Sequence, residues 1–245
     1  MKTRLAKPFC GYYYFLLNID QQVQYREIAY AVAKFETEVH MPEMDIKKIR
    51  KTLMAVAYDN PDYFFWLPNA SEFQGDKLVL KYAMSKEEAY EVWDKIQKEE
   101  EQILLSCCQG KETLRDILGA LYQYFKENVA YANDELQQEN QPRWIYSIDG
   151  VFLQKKAVCL GIAHAWNSLC RRLRVPYILV TGEAEIAGDL ENHAWNMVEI
   201  DEHYRHVDLT AEICECEAVE YKYFLLQDWE LEGRKLPKNT YPTAE

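Results

Sequence analysis

Residues 157–176 read AVCLGIAHAWNSLCRRLRVP, and this stretch decides the fold of the second half of the chain. Its apolar side chains recur at the spacing of one face of a helix, starting from Cys159. The pattern predicts an amphipathic helix that begins at Cys159 and ends at Val175-Pro176. The helix ends there because a proline ring disfavours α-helical geometry in the preceding residue.

Three predicted strands follow this helix: Tyr177 to Gly182, His193 to Ile200 and Tyr204 to Leu209. The last two lie on either side of Asp201-Glu202-His203, which has the composition of a hairpin turn. A helix followed by an antiparallel sheet predicts the α+β fold class.

The part of the chain before Gly150 is predicted to be mainly helical. A helix from Lys86 towards Leu105 has Ser85 at its start and Glu88 three residues later, as in a capping box. The other predicted elements are helices over Gln21 to Phe35, Ile46 to Val56 and Leu114 to Phe125, and strands over Tyr63 to Leu67 and Lys77 to Tyr82 around a turn at Ser71–Asp76.

The length of 245 residues fits one large domain or two small ones, at about 150 residues per domain. The polar, glutamine-rich stretch Asp134 to Pro142 is the candidate boundary. It would separate a mainly helical N-terminal region, 1–133, from a catalytic core, 143–245. The equal alternative is a surface loop inside one compact unit.

Composition excludes several classes of protein. A net charge of −12 disfavours nonspecific binding to nucleic acid. No two of the nine glycines lie within five positions of each other, which excludes the familiar glycine-rich nucleotide-binding loops. No stretch approaches the ~20 apolar residues of a membrane span. Seven cysteines without C-x-x-C favour a reduced protein of the cytoplasm, with export as the open alternative. The oligomeric state stays open.

The charges are distributed unevenly. From Glu183 to Glu220 there are twelve carboxylates and one arginine, whereas from Val151 to Thr181 there are five basic residues and no carboxylate. Such neighbouring stretches could form a cleft with walls of opposite potential. We therefore expect a peptide or protein substrate or acceptor that carries positive charge.

Cys159 is the first candidate for chemistry. The N-terminus of a helix stabilises a thiolate, and Lys155 and Lys156 add positive charge nearby. A thiolate is the form in which cysteine acts as a nucleophile. The alternative is a buried core cysteine, because Cys159 also lies on the apolar face of its helix.

His193 and Asp208 form a candidate pair with this cysteine. If the hairpin pairs Ile200 with His203, then His193 and Asp208 project from one face of the sheet, diagonal to each other. A loop of odd length would place Asp208 on the opposite face. A carboxylate on one nitrogen of an imidazole leaves the other for a thiol, or the contact is a structural histidine–aspartate hydrogen bond.

The motifs AVCLGIA (157–163), LRVP (173–176), NHAWN (192–196) and HVDLT (206–210) resemble the transglutaminase-like superfamily of papain-like thiol enzymes. The N-terminal part resembles bacterial members that have a helical extension. The resemblance implies a transglutaminase-like core, a helix packed on an antiparallel sheet. It also implies that Cys159 is the nucleophile, His193 the base and Asp208 its orienting partner.

The resemblance further implies acyl transfer on amide bonds through a thioester, without a cofactor. Hydrolysis by a peptidase, amidase or deamidase is expected over amine cross-linking, since no β-sandwich domain or calcium loop is evident. The alternative is a catalytically silent module that binds peptides or serves as a scaffold.

The other expected site residues are less defined. Gln154 is the first candidate for the side chain of the oxyanion hole, with Trp144 and Tyr146 as alternatives. Trp195, Trp144 and Tyr146 are candidates for the wall of the substrate cleft.

One alternative uses a metal. His203, His206, Cys214 and Cys216 are residue types that bind zinc. The strand period places His203 and His206 on opposite faces, so we expect no metal site there.

Overall fold

The computed structural model describes residues 9, 11–41, 45–186, 189–215, 221–238 and 240–245. By its contacts the chain forms two compact units, Met1–Lys95 and Ile96–Glu245. The division falls within a long helix. The polar stretch 134–142, where the sequence predicts a boundary, lies inside the second unit.

The first unit is built from helices and a small sheet. Asn18 caps the second helix by accepting a hydrogen bond from the N–H of Gln21, 2.9 Å away. The three strands lie in the order β1-β3-β2. The elements are α1 (Tyr12–Phe15), α2 (Ile19–Lys34), β1 (Glu38–His40), α3 (Ile46–Asp59), a 3-10 helix (Pro68–Ala70), β2 (Glu72–Gln74), β3 (Lys77–Val79) and the start of α4 (Lys86–Cys108).

The capping box predicted at the start of α4 is confirmed. The N–H of Ser85 donates to Glu88 Oε2 at 2.8 Å, and the N–H of Glu88 donates to Ser85 Oγ at 3.2 Å. These two bonds satisfy N–H groups that have no partner inside the helix.

The strand predicted over Tyr63 to Leu67 is wrong. Only Trp66 forms an isolated bridge there, to Tyr82. The hairpin is instead β2–β3, and its turn contains Gly75 in the left-handed region, with φ +62°. The aromatic run that suggested a strand is buried throughout rather than on alternate residues: Tyr63, Phe64, Phe65 and Trp66.

The second unit has a helix packed on a five-stranded antiparallel sheet of order β10-β6-β7-β8-β9. This confirms the predicted α+β class. Its elements are the end of α4, α5 (Leu114–Asn128), β4 (Ala130–Tyr131), α6 (Asn133–Leu136), a 3-10 helix (Arg143–Tyr146), a π-helix (Gly150–Gln154), β5 (Lys156–Ala157), α7 (Cys159–Leu173), β6 (Tyr177–Ile186), β7 (Asp189–Ile200), β8 (His203–Val207), α8 (Leu209–Glu215), β9 (Phe224–Leu226), a 3-10 helix (Asp228–Glu230) and β10 (Arg234–Lys235).

The register of the β7–β8 hairpin is the predicted one. Ile200 pairs with His203, and the pairing continues to Asn196 and Val207. The predicted strand from Tyr204 to Leu209 is too long, because β8 ends at Val207 and Leu209 begins α8. The N–H of Ala211 donates to Asp208 Oδ1 at 3.1 Å, which is the bond of a helix cap.

Helix α7 is fixed to the sheet by hydrogen bonds and by a close approach. Asn196 Nδ2, on β7, donates to the carbonyl oxygen of Ala163 at 3.0 Å and to Asn167 Oδ1 at 2.8 Å. At Gly161, a Cβ atom would lie 2.6 Å from the carbonyl oxygen of Ile145. Only glycine lets the 3-10 helix of Ile145 approach the first turn of α7 so closely.

No helix among the described residues is long and apolar enough to cross a membrane.

Candidate active site

Cys159 is the first residue of α7 and follows β5 after a single residue. The junction is held by the N–H of Val158, which donates to the carbonyl oxygen of Ile145 at 2.9 Å. The cysteine is free and half-buried. The N–H groups of the first turn of a helix have no partner inside the helix, so the thiol lies where negative charge is stabilised.

His193 lies on β7 and is buried, with 3% of its side chain exposed. Its Nε2 atom is 2.9 Å from Asp208 Oδ2. The other ring nitrogen, Nδ1, is left for the thiol, and a hydrogen bond with the side chain of Cys159 is one of the influences on this histidine. The structure therefore brings together the three side chains that the sequence singled out.

Asp208 is a fully buried carboxylate with partners on three sides. In addition to His193 and the N–H of Ala211, it accepts hydrogen bonds from Arg234, whose Nε lies 3.1 Å and Nη2 2.9 Å from Oδ2. Burial raises the pKa of this carboxyl, but His193, Arg234 and Ala211 lower it further than burial raises it. Asp208 is therefore ionised at neutral pH.

The pKa of His193 is raised to about 9. Burial, the largest influence, lowers it, but the hydrogen bonds and charges of Asp208 and Cys159 together more than offset that effect. The imidazole is therefore protonated at pH 7. A protonated imidazole beside a thiol favours the thiolate–imidazolium pair of thiol enzymes.

A second histidine–aspartate pair lies behind the first. The indole of Trp195 stacks on the imidazole of His193, with ring centroids 5.6 Å apart and planes 21° apart. Its Nε1–H donates to Nδ1 of His206 at 3.0 Å, and His206 Nε2 is 2.9 Å from Asp228 Oδ1. Since indole nitrogen only donates, His206 carries its hydrogen on Nε2 and donates it to Asp228.

One expectation is corrected by this arrangement. Trp195 is 1% exposed, so it packs against His193 in the interior and does not form the wall of an open cleft. Both nitrogens of His206 are already engaged, so neither is available to a metal. Among the described residues, no three His, Cys, Asp or Glu side chains are grouped as a metal site, and Cys216 lies outside those residues.

We expect Trp195→Phe to destabilise the second unit by about 1–3 kcal/mol, because His206 Nδ1 would become a buried acceptor without a donor. Phenylalanine keeps an aromatic ring against His193 but is smaller than the buried indole, so the loss combines the missing hydrogen bond with the space left in the core. The midpoint and slope of urea unfolding at pH 7 measure it.

Trp229→Phe is the matched control, because the Trp229 indole is 77% exposed and donates to Gln227 at the surface. We expect it to change the free energy of unfolding by less than about 0.5 kcal/mol. Equal effects of the two substitutions would contradict the role assigned to the Trp195–His206 bond.

The remaining predicted site residues lie in the segment before Cys159. Gln154 is the exposed last residue of the π-helix. Trp144 is half-buried and packs against a cluster that includes Val158, next to the cysteine. The hydroxyl of Tyr146 donates to Gln141. None of these contacts assigns an oxyanion role, which stays a prediction for Gln154.

The two lysines before Cys159 are paired with carboxylates. Lys155 forms an ion pair with Glu99 and also donates to the hydroxyl of Tyr124, and Lys156 lies 3.4 Å from Glu135. Their charges are therefore balanced locally. The expectation that they add net positive charge at the thiol is not supported by this arrangement.

Two residues of the site were missed by the sequence analysis. Tyr131 is on β4, which pairs in parallel with β5, and its hydroxyl accepts a hydrogen bond from the N–H of Cys159. Arg234 approaches Asp208 from β10, 26 residues later in the chain. Neither has a sequence signal, because a two-residue parallel pair and a short edge strand leave no periodic pattern.

Comparison with known proteins gives one family. A family profile described as the transglutaminase-like superfamily matches residues 101–209, which is less than half of the chain. No curated protein matches.

Three solved structures are similar to the chain. They are a candidate cysteine protease from Cytophaga hutchinsonii (24% identity, 48% of this chain and 37% of that chain, TM-score 0.37), a protein described as a TGase (17%, 74% and 53%, 0.44) and the periplasmic domain of TgpA from Pseudomonas aeruginosa (15%, 56% and 54%, 0.37). The chain thus spans between about a third and just over half of their lengths. With TM-scores below 0.5, they carry no conclusion about activity.

Proposed function

We propose that this chain is a thiol-dependent enzyme that acts on amide bonds, on the basis of the match between residues 101–209 and the profile of the transglutaminase-like superfamily. The observation that carries the proposal is the buried bond between His193 Nε2 and Asp208 Oδ2, with Cys159 as the other partner of the imidazole. Nucleophile, base and orienting group in mutual contact are what covalent catalysis by a thiol needs.

In the proposed reaction, the thiolate of Cys159 attacks the carbonyl carbon of an amide, and the carbonyl oxygen takes the negative charge. The imidazolium of His193 donates its proton to the amine as the C–N bond breaks, which leaves a thioester and a neutral imidazole. A water molecule then attacks the thioester, and the imidazole accepts a proton from that water. Release of the carboxylic acid restores the thiolate–imidazolium pair, and Asp208 keeps the ring in place throughout.

The developing oxyanion needs hydrogen-bond donors. We propose the N–H of Cys159 as the main-chain donor to the oxyanion. In the structure this N–H is bonded to the Tyr131 hydroxyl. An acyl oxygen that binds to this N–H displaces the hydroxyl as its acceptor. Gln154 stays the candidate for a second donor.

Water is the proposed acyl acceptor. Hydrolysis needs only the neutral imidazole as base and no second binding site for an amine. A substrate with positive charge is proposed from the acidic side chains of the sheet, since Glu183, Glu185 and Glu191 are exposed on β6 and β7. Attraction between exposed charges weakens as salt increases.

The proposal is tested with peptide amides and activated esters offered in matched lysine-containing and neutral forms. We expect an acyl adduct on Cys159 by intact mass and peptide mapping, hydrolysis in preference to transfer to added methylamine, and a preference for the lysine form that 0.5 M salt reduces. Cys159→Ala removes turnover, whereas Cys108→Ala, another free and half-buried cysteine, retains it.

Peptide binding without any adduct would contradict the enzymatic proposal and favour a silent binding module. Turnover that is equal for the two peptide forms, or insensitive to salt, would contradict only the proposed substrate charge.

A further inference from the structure

Arg234 lies on β10, at the edge of the five-stranded sheet, where it pairs with Ala184 of β6. This position is 25 residues beyond the end of the family match at residue 209. Its side chain is nevertheless only 5% exposed. An arginine buried to this degree on a short edge strand needs a partner, since burying an unpaired charge is costly.

The partner is the carboxylate of the candidate site. Nε and Nη2 of Arg234 lie 3.1 Å and 2.9 Å from Asp208 Oδ2, the same oxygen that lies 2.9 Å from His193 Nε2. Oδ1 is left to the N–H of Ala211. One carboxylate oxygen is therefore shared by a guanidinium and an imidazole.

The groups around this triangle fix Arg234 in place. The guanidinium lies over the ring of Tyr223, 4.9 Å from its centroid, and Nη1 donates to the carbonyl oxygen of Glu232 at 3.1 Å. The other ionisable groups that act on Asp208, Arg234 or His193 are Glu215, which lies 3.9 Å from Arg234 Nη2, and Tyr122, Cys159, His206 and Cys214.

Sharing one oxygen has two physical consequences. The two hydrogen bonds from Arg234 hold Oδ2 at a fixed point, so the imidazole binds the carboxylate in one orientation. The permanent charge of the guanidinium also repels the imidazolium that it faces across that oxygen. A guanidinium stays charged throughout the range in which His193 titrates.

We propose that Arg234 is a positioning residue: its two hydrogen bonds orient Oδ2 of Asp208 towards His193, and its charge weakens the hold of that carboxylate on the imidazolium. The inference rests on the proposed function. In the reaction it makes the imidazolium a better acid towards the leaving amine than Asp208 alone would allow.

The test is an NMR titration of the His193 ring nitrogens in the full chain, in wild type, Arg234→Gln and Arg234→Lys. Wild type is expected to titrate with a midpoint near pH 9. In Arg234→Gln, which removes the charge, we expect the midpoint to rise by about 1 pH unit. Arg234→Lys keeps a charge beside Asp208, so we expect its midpoint to stay within about 0.3 units of wild type.

Arg172→Gln is the matched control, since Arg172 pairs with buried Glu100 at 3.3 Å elsewhere in the same unit. It removes an arginine–carboxylate pair without touching Asp208, and its His193 midpoint should equal that of wild type. A merely structural Arg234 would lower the unfolding temperature and leave the midpoint unchanged.

An unchanged or lowered midpoint in Arg234→Gln would overturn the inference. If that variant does not fold, a shift in Arg234→Lys as large as about 1 unit would overturn it as well, because the charge is retained. The proposed function fails separately, when Cys159 of the wild type forms no acyl adduct, and the titration of His193 can be measured in either case.

Discussion

In the variant His193→Ala, we expect iodoacetamide to alkylate Cys159 roughly 100-fold more slowly at pH 6 than in the wild type. An ordinary thiol is only about 0.3% thiolate at pH 6, and the thiolate is the form that reacts. We expect the contact with a protonated His193 to make Cys159 react faster than such a thiol. The lower intrinsic reactivity of a stabilised thiolate reduces the gain but does not cancel it.

The pH dependence provides a second signature. Because the pKa of His193 is raised to about 9, the advantage of the wild type should persist through neutral pH. It should disappear as the imidazolium loses its proton near pH 9, where an ordinary thiolate is already abundant. Peptide mapping after timed labelling measures each cysteine separately.

The other cysteines are internal controls for this experiment. Cys108 is half-buried and Cys170 is fully buried, so they bracket the rates that accessibility alone produces. Their labelling should be the same in wild type and His193→Ala. If Cys159 labels equally fast in both proteins at pH 6, the pair of Cys159 and His193 does not activate the thiol, and the binding module becomes the better reading of the fold.

Asp208→Ala is expected to lower the free energy of unfolding by about 3–5 kcal/mol at pH 7. The substitution leaves the guanidinium of Arg234 buried without its carboxylate, and it removes the acceptor of the Ala211 N–H at the start of α8. It also removes the acceptor of His193. Urea unfolding of the wild type and the variant measures the difference in free energy, provided that both proteins unfold with the same slope against urea concentration.

The sign of the pH dependence follows from the direction of the pKa shift. Burial raises the pKa of Asp208, but His193 and Arg234 lower it further, to below its ordinary value. The stabilisation by this carboxylate is therefore complete above the unfolded value of about 4 and is lost as the pH falls through the folded value. The difference between wild type and Asp208→Ala should shrink below about pH 4.

Asp228→Ala is the comparison for this prediction. Its carboxylate also accepts from a histidine, at 2.9 Å, but its side chain is 39% exposed. We expect a loss of about 1 kcal/mol. A loss in Asp208→Ala no larger than that in Asp228→Ala would contradict the view that Asp208 is the buried anion on which Arg234 and His193 depend.

The parts of the site that have a periodic signal could be predicted from the sequence. The helical spacing was enough to place Cys159 at the start of a helix, and the parity of a hairpin with Ile200 opposite His203 was enough to place His193 and Asp208 on one face. That the three meet was implied only by the resemblance to a family. Parity is a strong constraint, since a shift by one residue turns every side chain to the other face. The catalytic roles of these residues stay a proposal.

The rest depends on contacts that the local sequence does not encode. Asp208 was expected within a strand, yet it follows the end of β8 and caps α8, and its acidic side chain before Leu209 is the signal that could have shown this. Tyr131 and Arg234 reach the site through β4 and β10, each two residues long. Elements this short are positioned by tertiary packing alone.

The hydrogen bonds behind His193 also set the route that protons can take. From Trp195 through His206 to Asp228, every hydrogen points the same way, and the line starts at an indole nitrogen that cannot accept a proton. The indole thus separates two histidines that lie on neighbouring strands and cannot pass a proton between them. Protons gained or lost by His206 cannot be relayed through Trp195 to His193, so the proton exchanged with Cys159 does not pass along this line of hydrogen bonds.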